Sequence, residues 1–159
     1  KIITDKTPFN FLYLGVVEKA LPSSLVIYCR RDMRDVSISC FQQDFKSPQP
    51  WATDLNSIAQ YIHMEQRIML HWKNTLRVPM LEVKYEQLVT NPETEIRKII
   101  NFCDLKWDAR CLEFYNSKRM VFTASNRQVR QKLYSHSIGR WKKYKSFFPK
   151  LPTNKEIDS

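Results

Sequence analysis

Side chains that suit phosphate binding follow an apolar run near the first fifth of the chain. Residues 25–29, Leu-Val-Ile-Tyr-Cys, are typical of a parallel strand covered on both faces, and Arg31 and Ser39 follow them. A helix that begins a few residues later would present unpaired N–H groups and the positive end of its dipole there. The guanidinium of Arg31 matches phosphate, and Ser39 would add a hydroxyl. The stretch predicts an anion site; a solvated Arg31 or an ion pair with Asp32 or Asp35 is the open alternative.

A second cation is expected at the same edge of the sheet. Residues 1–4 predict the end of a strand, and Lys6 follows that strand as Arg31 follows residues 25–29. Turns after parallel strands emerge at one edge, so both cations would converge although they are distant in sequence. A surface lysine beside Asp5 is the alternative that spacing alone favours.

Helices and strands alternate along the first two thirds of the chain. The order strand, helix, strand over the first thirty residues predicts a βαβ crossover and therefore parallel pairing. Apolar periodicity predicts a long amphipathic helix over residues 54–76, and alternation predicts a strand over 80–85. Cap residues and Pro positions predict the remaining helices, at 9–20 after Thr7 and Pro8, 91–103 after Asn91, 108–115 after Asp108, and 137–148.

A polar and basic stretch interrupts this pattern after Met120. Residues 123–134 have neither helical nor strand periodicity, which predicts a long ordered loop. Loops of this length in a compact domain are commonly functional, and the Ser, Arg and Gln content favours a ligand clamp. Residues 1–148 are expected to form one domain and residues 149–159 a tail that buries little.

Composition limits the class of protein. The chain has 159 residues, 43 % of them apolar, and a formal net charge of +10. This composition is typical of a globular domain with a hydrophobic core, and the charge favours anionic partners. The basic residues do not form one block, so a nucleic-acid partner is not expected.

Metal chemistry is not expected either. The four cysteines are spread along the chain without a C-x-x-C pair, and the three histidines lack ligand spacing to them. Free, buried thiols are typical of a reducing compartment, so we expect a cytoplasmic protein. The sequence begins at Lys1 without an initiator Met, which leads us to expect a preceding segment and weakens any conclusion about a targeting signal.

Several motifs together resemble the sulfotransferase family, in particular bacterial domains that follow tetratricopeptide repeats and the tyrosylprotein sulfotransferases. Any one motif is weak, whereas their order and spacing are specific and cover the chain from Asp5 to Trp141. The motifs are Asp5-Lys6-Thr7-Pro8-Phe9-Asn10-Phe11, Arg31-Asp32-Met33-Arg34-Asp35-Val36 with Ser39, Tyr85-Glu86-Gln87-Leu88-Val89 with Asn91-Pro92, and Ser125–Arg130 with Tyr134, Ser137, Gly139, Arg140 and Trp141.

The resemblance implies a fold, a donor and site residues. The fold is a P-loop-like α/β sheet flanked by helices, here as an incomplete three-layer sandwich, and the donor is 3′-phosphoadenylyl sulfate without a metal. By position, Arg31 and Ser39 hold the 3′-phosphate of the donor, and Lys6 is the catalytic lysine at its bridging oxygen. The other donor-binding positions are Tyr85, Ser125, Arg127, Gln128, Val129, Arg130, Tyr134 and Arg140. The resemblance is also compatible with tetratricopeptide repeats upstream.

The sequence departs from the family pattern at its beginning. Members of the family start with a strand and a Gly/Ser/Thr-rich loop that holds the 5′-phosphosulfate, and nothing of that kind precedes Lys6. Gln43 stands where the tyrosine enzymes have a further donor-contacting Arg. We therefore interpret the chain as the C-terminal part of a sulfotransferase domain, without the phosphosulfate loop and the acceptor-activating base.

The resulting hypothesis is sulfuryl transfer to a hydroxyl or amine acceptor, which could belong to a protein or a glycan. A non-catalytic nucleotide-binding or scaffolding relic of a sulfotransferase is the first alternative, and a basic nucleic-acid-binding domain is the second. The identity of the acceptor and of its base cannot be read from the sequence.

Overall fold

The computed structural model describes residues 2–45, 49–117 and 130–147. Two strands in this part of the chain are β1 (Val26–Arg30) and β2 (Met80–Lys84). The α-helices are α1 (Leu14–Ala20), α2 (Met33–Phe41), α3 (Leu55–Thr75), α4 (Tyr85–Thr90) and α5 (Pro92–Phe102). Short 3₁₀ helices span Asn10–Tyr13, Pro50–Ala52, Ala109–Asn116 and Arg140–Phe147. No helix in these ranges combines the length and the apolar character needed to cross a bilayer.

The two strands form a parallel pair. Val26 lies opposite Met80, and Arg30 lies opposite Lys84. Helices α2 and α3 lie between the strands in sequence, as the crossover connection of a parallel pair requires. Both carboxyl ends therefore meet at one edge, and the expected α/β class with a parallel sheet and flanking helices is confirmed.

The predicted pairing of β1 with a strand at residues 1–4 was wrong. Residues 2–4, predicted as the end of a strand, form none, and β1 pairs with β2 instead. A strand forms only beside a neighbouring strand that supplies hydrogen-bond partners for its backbone. Residues 2–4 have no such neighbour among the described residues. The predicted βαβ crossover in the first thirty residues is therefore replaced by the longer crossover between β1 and β2.

The hydrophobic core lies on one face of β1. Val26 and Tyr28 pack against a cluster of Phe11, Leu14 and Met69. A second cluster joins Met33 of α2 to Ile58 and Ile62 of α3. Helix α3 thus contributes to both clusters, as its apolar periodicity predicted.

The opposite face of β1 is open, so the prediction of a strand buried on both faces was wrong. Leu25 is 43 % exposed and Ile27 is 40 % exposed. Cys29 on the same face is also exposed, which corrects the expectation that every thiol is buried. The cluster of Phe11, Leu14 and Met69 packs on the face that carries Val26 and Tyr28, whereas on the other face Val83 of β2, opposite Cys29, is buried. Apolar composition alone does not show which part of each face is covered.

Local signals placed the ends of the helices well. Asp32 caps α2 by accepting from the Arg34 N–H, and Asp54 caps α3 by accepting from Asn56 and Ser57. Helix α5 begins at Pro92 as expected, although Asn91 makes no side-chain cap. Three predicted helices differ in type. Residues 10–20 divide into a 3₁₀ turn and α1, and Ala109–Asn116 and Arg140–Phe147 are 3₁₀ helices with kinks at Glu113 and Tyr144.

Candidate functional site

The carboxyl ends of β1 and β2 meet the start of α2 and the segment around residue 139. Glu86 at the start of α4 accepts a hydrogen bond from the backbone N–H of Asp32 at 2.8 Å. This contact joins the turn after β1 to the turn after β2. At the edge of the sheet where the sequence predicts an anion site, β1, β2, α2 and the segment around residue 139 therefore meet.

Arg31 is held at this junction while one of its buried donors has no partner among the described residues. Its Nη2 donates to the backbone carbonyl of Ser137 at 2.6 Å, and its guanidinium carbon lies 4.7 Å from the centre of the Tyr85 ring. Its Nε is buried and has no hydrogen-bond partner among the described residues. Buried donors are rarely left unpaired, and an oxygen of an anion is a suitable partner for a guanidinium.

Tyr85 connects Arg31 to the segment that follows the polar stretch. The Tyr85 hydroxyl donates to the backbone carbonyl of Tyr134 at 3.4 Å. Burial raises the pKa of Tyr85, and the neighbouring Arg31 cation opposes the rise. The structure thus brings together three of the predicted donor-binding residues, Arg31, Tyr85 and Tyr134.

A buried carboxylate fastens the chain around Gly139 to α2. Asp35 is 1 % exposed and accepts from the Gly139 N–H at 2.7 Å and the Trp141 N–H at 2.9 Å. Gly139 has a φ of +69°, a conformation that glycine adopts most easily. These two hydrogen bonds position the neighbouring Ser137 so that its backbone carbonyl accepts from Arg31.

Arg34 is occupied by protein partners. Its guanidinium stacks on the Trp141 ring at 3.7 Å and pairs with Asp32 at 2.6 Å. Burial would raise the pKa of Asp32, but the hydrogen bonds from Arg34 outweigh it and lower the pKa. Arg34 therefore contributes structure and positive potential at the edge of the sheet, with much of its donor capacity already used.

A cavity of about 390 Å³ opens among these elements. Five cationic and three acidic side chains line it, so its potential favours an anion. The lining residues are Arg30, Arg31, Asp32, Arg34, Asp35, Lys84, Glu86, Ile138, Gly139, Trp141 and Lys142. We call this space the cationic cavity.

The other predicted site residues lie apart from the cationic cavity. Lys6 is exposed before the first 3₁₀ helix, and Ser39 is exposed on α2. Arg140 hydrogen-bonds Gln42 at the end of α2. Arg130 is exposed where the described chain resumes, and Ser125, Arg127, Gln128 and Val129 lie outside the described residues. The roles assigned to all of these positions stay predictions.

A second cavity of about 430 Å³ lies against the core face of β1. Aromatic rings dominate its walls, and Trp51 and Tyr61 stack with ring centres 4.3 Å apart. Arg30 and Arg31 line both cavities and so form the wall between them. We call this space the aromatic cavity.

Two polar side chains lie in the aromatic cavity. Glu65 accepts from the Tyr28 hydroxyl at 3.3 Å. Burial raises the pKa of Glu65, and the hydrogen bond from Tyr28 and the charge of Arg30 oppose the rise. Burial and the Glu65 carboxylate also raise the pKa of Tyr28. Gln66 beside Glu65 is 7 % exposed, and its amide oxygen has no partner among the described residues.

Sequence reasoning missed Glu65 and Asp35. Glu65 lies three residues after Ile62 and four before Met69, so the inward periodicity of α3 carried a signal: a carboxylate among apolar residues. Asp35 had been considered only as a partner of Arg31 or as a residue of the motif. Its actual partners are backbone N–H groups more than one hundred residues away, which no local pattern encodes.

Among residues 2–45, 49–117 and 130–147, no group of three or more His, Cys, Asp or Glu side chains is placed to hold an ion.

A comparison with known families assigns the chain to one of them. A family model described as the sulfotransferase family matches residues 1–109. This match covers more than half of the chain, and the chain belongs to the sulfotransferase family.

Individual relatives support the same family. An uncharacterised protein of Aquifex aeolicus (strain VF5) is 36 % identical over 148 residues, which are 91 % of this chain and 19 % of that protein. A candidate protein-tyrosine sulfotransferase of Caenorhabditis briggsae is 27 % identical over 146 residues, 87 % of this chain and 51 % of that protein. The chain spans about a fifth of the first relative and about half of the second.

A solved structure shares the fold. The sulfotransferase domain from the curacin biosynthetic pathway matches 99 % of this chain and 60 % of its own length, with a TM-score of 0.68 and 17 % sequence identity. This similarity supports the sulfotransferase fold and leaves the roles of single residues to the argument below.

Proposed function

We propose that this chain takes part in the transfer of a sulfuryl group from 3′-phosphoadenylyl sulfate to a hydroxyl or amine acceptor. Membership of the family supports sulfuryl-transfer chemistry. The observation that carries the choice of donor is the position of Arg31, which lines the cationic cavity at the end of β1 and whose Nε has no hydrogen-bond partner among the described residues. A phosphate on the ribose would supply the missing acceptor and would enter a cavity whose potential favours anions.

The proposed roles are those that the resemblance to the sulfotransferase family implies for these positions. Arg31 binds the 3′-phosphate in the cationic cavity, and Tyr85 contacts the nucleotide. The resemblance adds Ser39 to the phosphate contacts, although the structure places Ser39 outside that cavity. The stretch from Ser125 to Tyr134 wraps the donor, and Arg140 contacts it from the following helix. Lys6 stabilises the oxygen that leaves when the acceptor oxygen or nitrogen attacks sulfur and the bond from sulfur to the bridging oxygen breaks. Positioning and fixed cations supply most of the catalysis in such a transfer.

Binding of adenosine 3′,5′-bisphosphate tests the donor site. Calorimetric titration should show that Arg31→Ala weakens binding by about tenfold or more, because a charge-assisted contact contributes roughly 1.5–3 kcal/mol. Arg110→Ala is the matched control, since it removes the same charge from an exposed position that pairs with Asp108.

Adenosine 5′-monophosphate makes the test specific for the 3′-phosphate. The monophosphate lacks the 3′-phosphate, so Arg31→Ala should reduce its affinity only slightly. Removal of the 3′-phosphate and removal of the Arg31 side chain should therefore have strongly non-additive effects on the binding free energy. Equal losses for both ligands, or no loss with the bisphosphate, would contradict the proposed role of Arg31.

Turnover separates the enzyme from a non-catalytic relic. The printed sequence has no counterpart of the expected 5′-phosphosulfate loop, so sulfate transfer should be measured both with this chain and with the full reading frame that encodes it. Bisphosphate binding together with transfer supports the proposal. Binding without transfer in the full reading frame would favour the relic.

A further inference from the structure

Two cations face each other where the parallel strands end. The register of β1 and β2 places Arg30 directly opposite Lys84, and both residues line the cationic cavity. Like charges on opposite residues of neighbouring strands repel each other and weaken the pairing of the strands. A bound anion between the two cations would turn this repulsion into attraction.

Arg30 has a carboxylate partner, whereas Lys84 has none among the described residues. The Arg30 guanidinium pairs with Glu82 at 3.2 Å, and the same carboxylate faces Lys73 at 3.9 Å. Glu82 therefore shares one negative charge between two cations. Lys84 is exposed at the end of β2, and no carboxylate in the described part of the chain pairs with its ammonium group.

The carboxylates that line the cationic cavity have other partners. Asp32 pairs with Arg34. Asp35 accepts from two backbone N–H groups, and Glu86 accepts from the backbone N–H of Asp32. Protein groups thus use the negative charge of the cavity, and the positive charge at the ends of the strands is left for a ligand.

Arg31 adds a third cation to the same cavity. Its guanidinium lies over the ring of Tyr85, the residue that follows Lys84, so the two cations come from adjoining turns of the chain. Three cations around one cavity favour an anion with two charges over an anion with one. A phosphate monoester carries about −1.5 to −2 near neutral pH, whereas a diester lacks the second ionisable oxygen.

We infer that Lys84, together with Arg30, binds the second negative charge of a phosphate monoester and makes the cationic cavity selective for monoesters over diesters. This inference rests on the proposed function, because the 3′-phosphate of the proposed donor is a monoester. The resemblance to the family assigns that phosphate to Arg31 and Ser39, and its motifs include neither Arg30 nor Lys84. Lys84 is thus a further specificity-determining residue of the donor site.

Two ligands that differ in one ester bond test the selectivity in the wild-type chain. Calorimetric titration with adenosine 3′-monophosphate and with its 3′-methyl ester compares a monoester with a diester on the same nucleoside. We expect the monoester to bind about tenfold more tightly, as one additional charge-assisted contact predicts. Equal affinities, or tighter binding of the methyl ester, would overturn the inference.

Variants then assign the selectivity to Lys84. Lys84→Gln should reduce the preference for the monoester to about twofold or less, whereas Lys84→Arg keeps the charge and should retain most of the preference. Lys106→Gln removes a lysine from an exposed position outside the cavity and is the matched control. A preference in Lys84→Gln as large as that of the control would count against Lys84.

Thermal unfolding without ligand distinguishes this role from a structural one. Lys84→Gln removes the repulsion from Arg30, so its unfolding midpoint should rise by about 1–3 °C while its affinity for the monoester falls. A lysine that only supports the fold would lower both. A lowered midpoint together with equal losses of affinity for the two ligands would therefore overturn the inference.

The titration of Arg31→Ala with adenosine 3′,5′-bisphosphate separates failure of this inference from failure of the proposed function. If bisphosphate binding depends on Arg31 while Lys84→Gln keeps the full preference for the monoester, the inference about Lys84 fails alone. If the 3′-phosphate adds nothing to binding in the wild type, the proposed donor site fails and the role of Lys84 fails with it.

Discussion

Single side chains at the sheet edge differ in how much of their bonding capacity the protein uses. Arg34 pairs with the Asp32 carboxylate and stacks on the Trp141 ring. Arg31 donates to a backbone carbonyl and lies over the Tyr85 ring, but its Nε has no partner within the described part of the chain. This difference between two arginines of one motif is the reason for assigning the proposed phosphate contact to Arg31. Lysine cannot reproduce this combination of stacking and planar donors, so Arg31 and lysine are not interchangeable here.

At the same scale, the buried Glu65 should make stability depend on pH. Its raised pKa means that the folded protein holds the proton more tightly than the unfolded chain, so this contribution is fully present below the ordinary glutamate pKa. It is lost as the pH rises through the raised value. Tyr28, Arg30 and Tyr61 are the charged or titratable groups that interact with Glu65.

The measurement is the difference in unfolding free energy between the wild type and Glu65→Gln as a function of pH. We expect the wild type to lose stability relative to the variant as the pH rises from the ordinary glutamate pKa. Glu113→Gln serves as the control for loss of one exposed carboxylate. A difference that stays constant, or that grows in favour of the wild type, would show that the Glu65 proton is not held more tightly in the folded state.

At the scale of elements, α3 organises the molecule because it packs both against α2 and against the core face of the two-stranded sheet. Trp72 near its end donates from Nε1 to the Phe11 carbonyl at 2.7 Å and thereby fixes the 3₁₀ turn Asn10–Tyr13. Gly15 in α1 faces the same ring, and a Cβ at this position would lie 2.9 Å from the Trp72 Cη2 atom. The close approach of α1 to α3 thus depends on a residue without a side chain.

Gly15→Ala should therefore destabilise the protein, although alanine is favoured over glycine in a helix interior by about 1 kcal/mol. The indole that would have to shift is held by its hydrogen bond to Phe11, so the contact cannot relax freely. Thermal unfolding of Gly15→Ala in the wild type and in a Trp72→Phe background tests this explanation. The alanine should be harmful in the first and much less so in the second, and equal effects would exclude the clash with Trp72.

At the scale of the whole molecule, the segment near the carboxyl end of the described chain is joined to α2 through Asp35. This carboxylate lies on α2, and its two donors, Gly139 and Trp141, lie near the carboxyl end. These hydrogen bonds from Gly139 and Trp141 to Asp35 fix one wall of the cationic cavity, since both residues line it. The net charge of +10 acts at the same scale and favours approach of an anionic nucleotide.

Asp35→Ala should lower the free energy of unfolding by about 3 kcal/mol, because two buried backbone N–H groups lose a charged acceptor. Urea unfolding measures the loss, and Asp44→Ala at an exposed position is the matched control. Bisphosphate affinity should fall as well, because Ser137 would no longer hold Arg31 in place. A loss no larger than that of the control would show that Asp35 does not fasten this segment.

The sequence by itself determined the local features of this protein. The apolar period of α3, the cap at Asp108, the strand that begins at Met80 and the start of α5 at Pro92 were predicted, because each depends on residues close together in the chain. The combination of motifs also indicated the sulfotransferase family, which the family match confirms.

Only the tertiary structure decided which distant groups meet. Pairing of β1 with β2, the contact of Asp35 with Gly139 and the enclosure of Glu65 by aromatic rings join residues far apart in sequence. Packing chooses such partners through burial and hydrogen bonding over the whole chain, whereas periodicity and caps report only on the nearest turns. The failed prediction for residues 2–4 has the same cause, since a strand exists only where a neighbouring strand supplies its backbone partners.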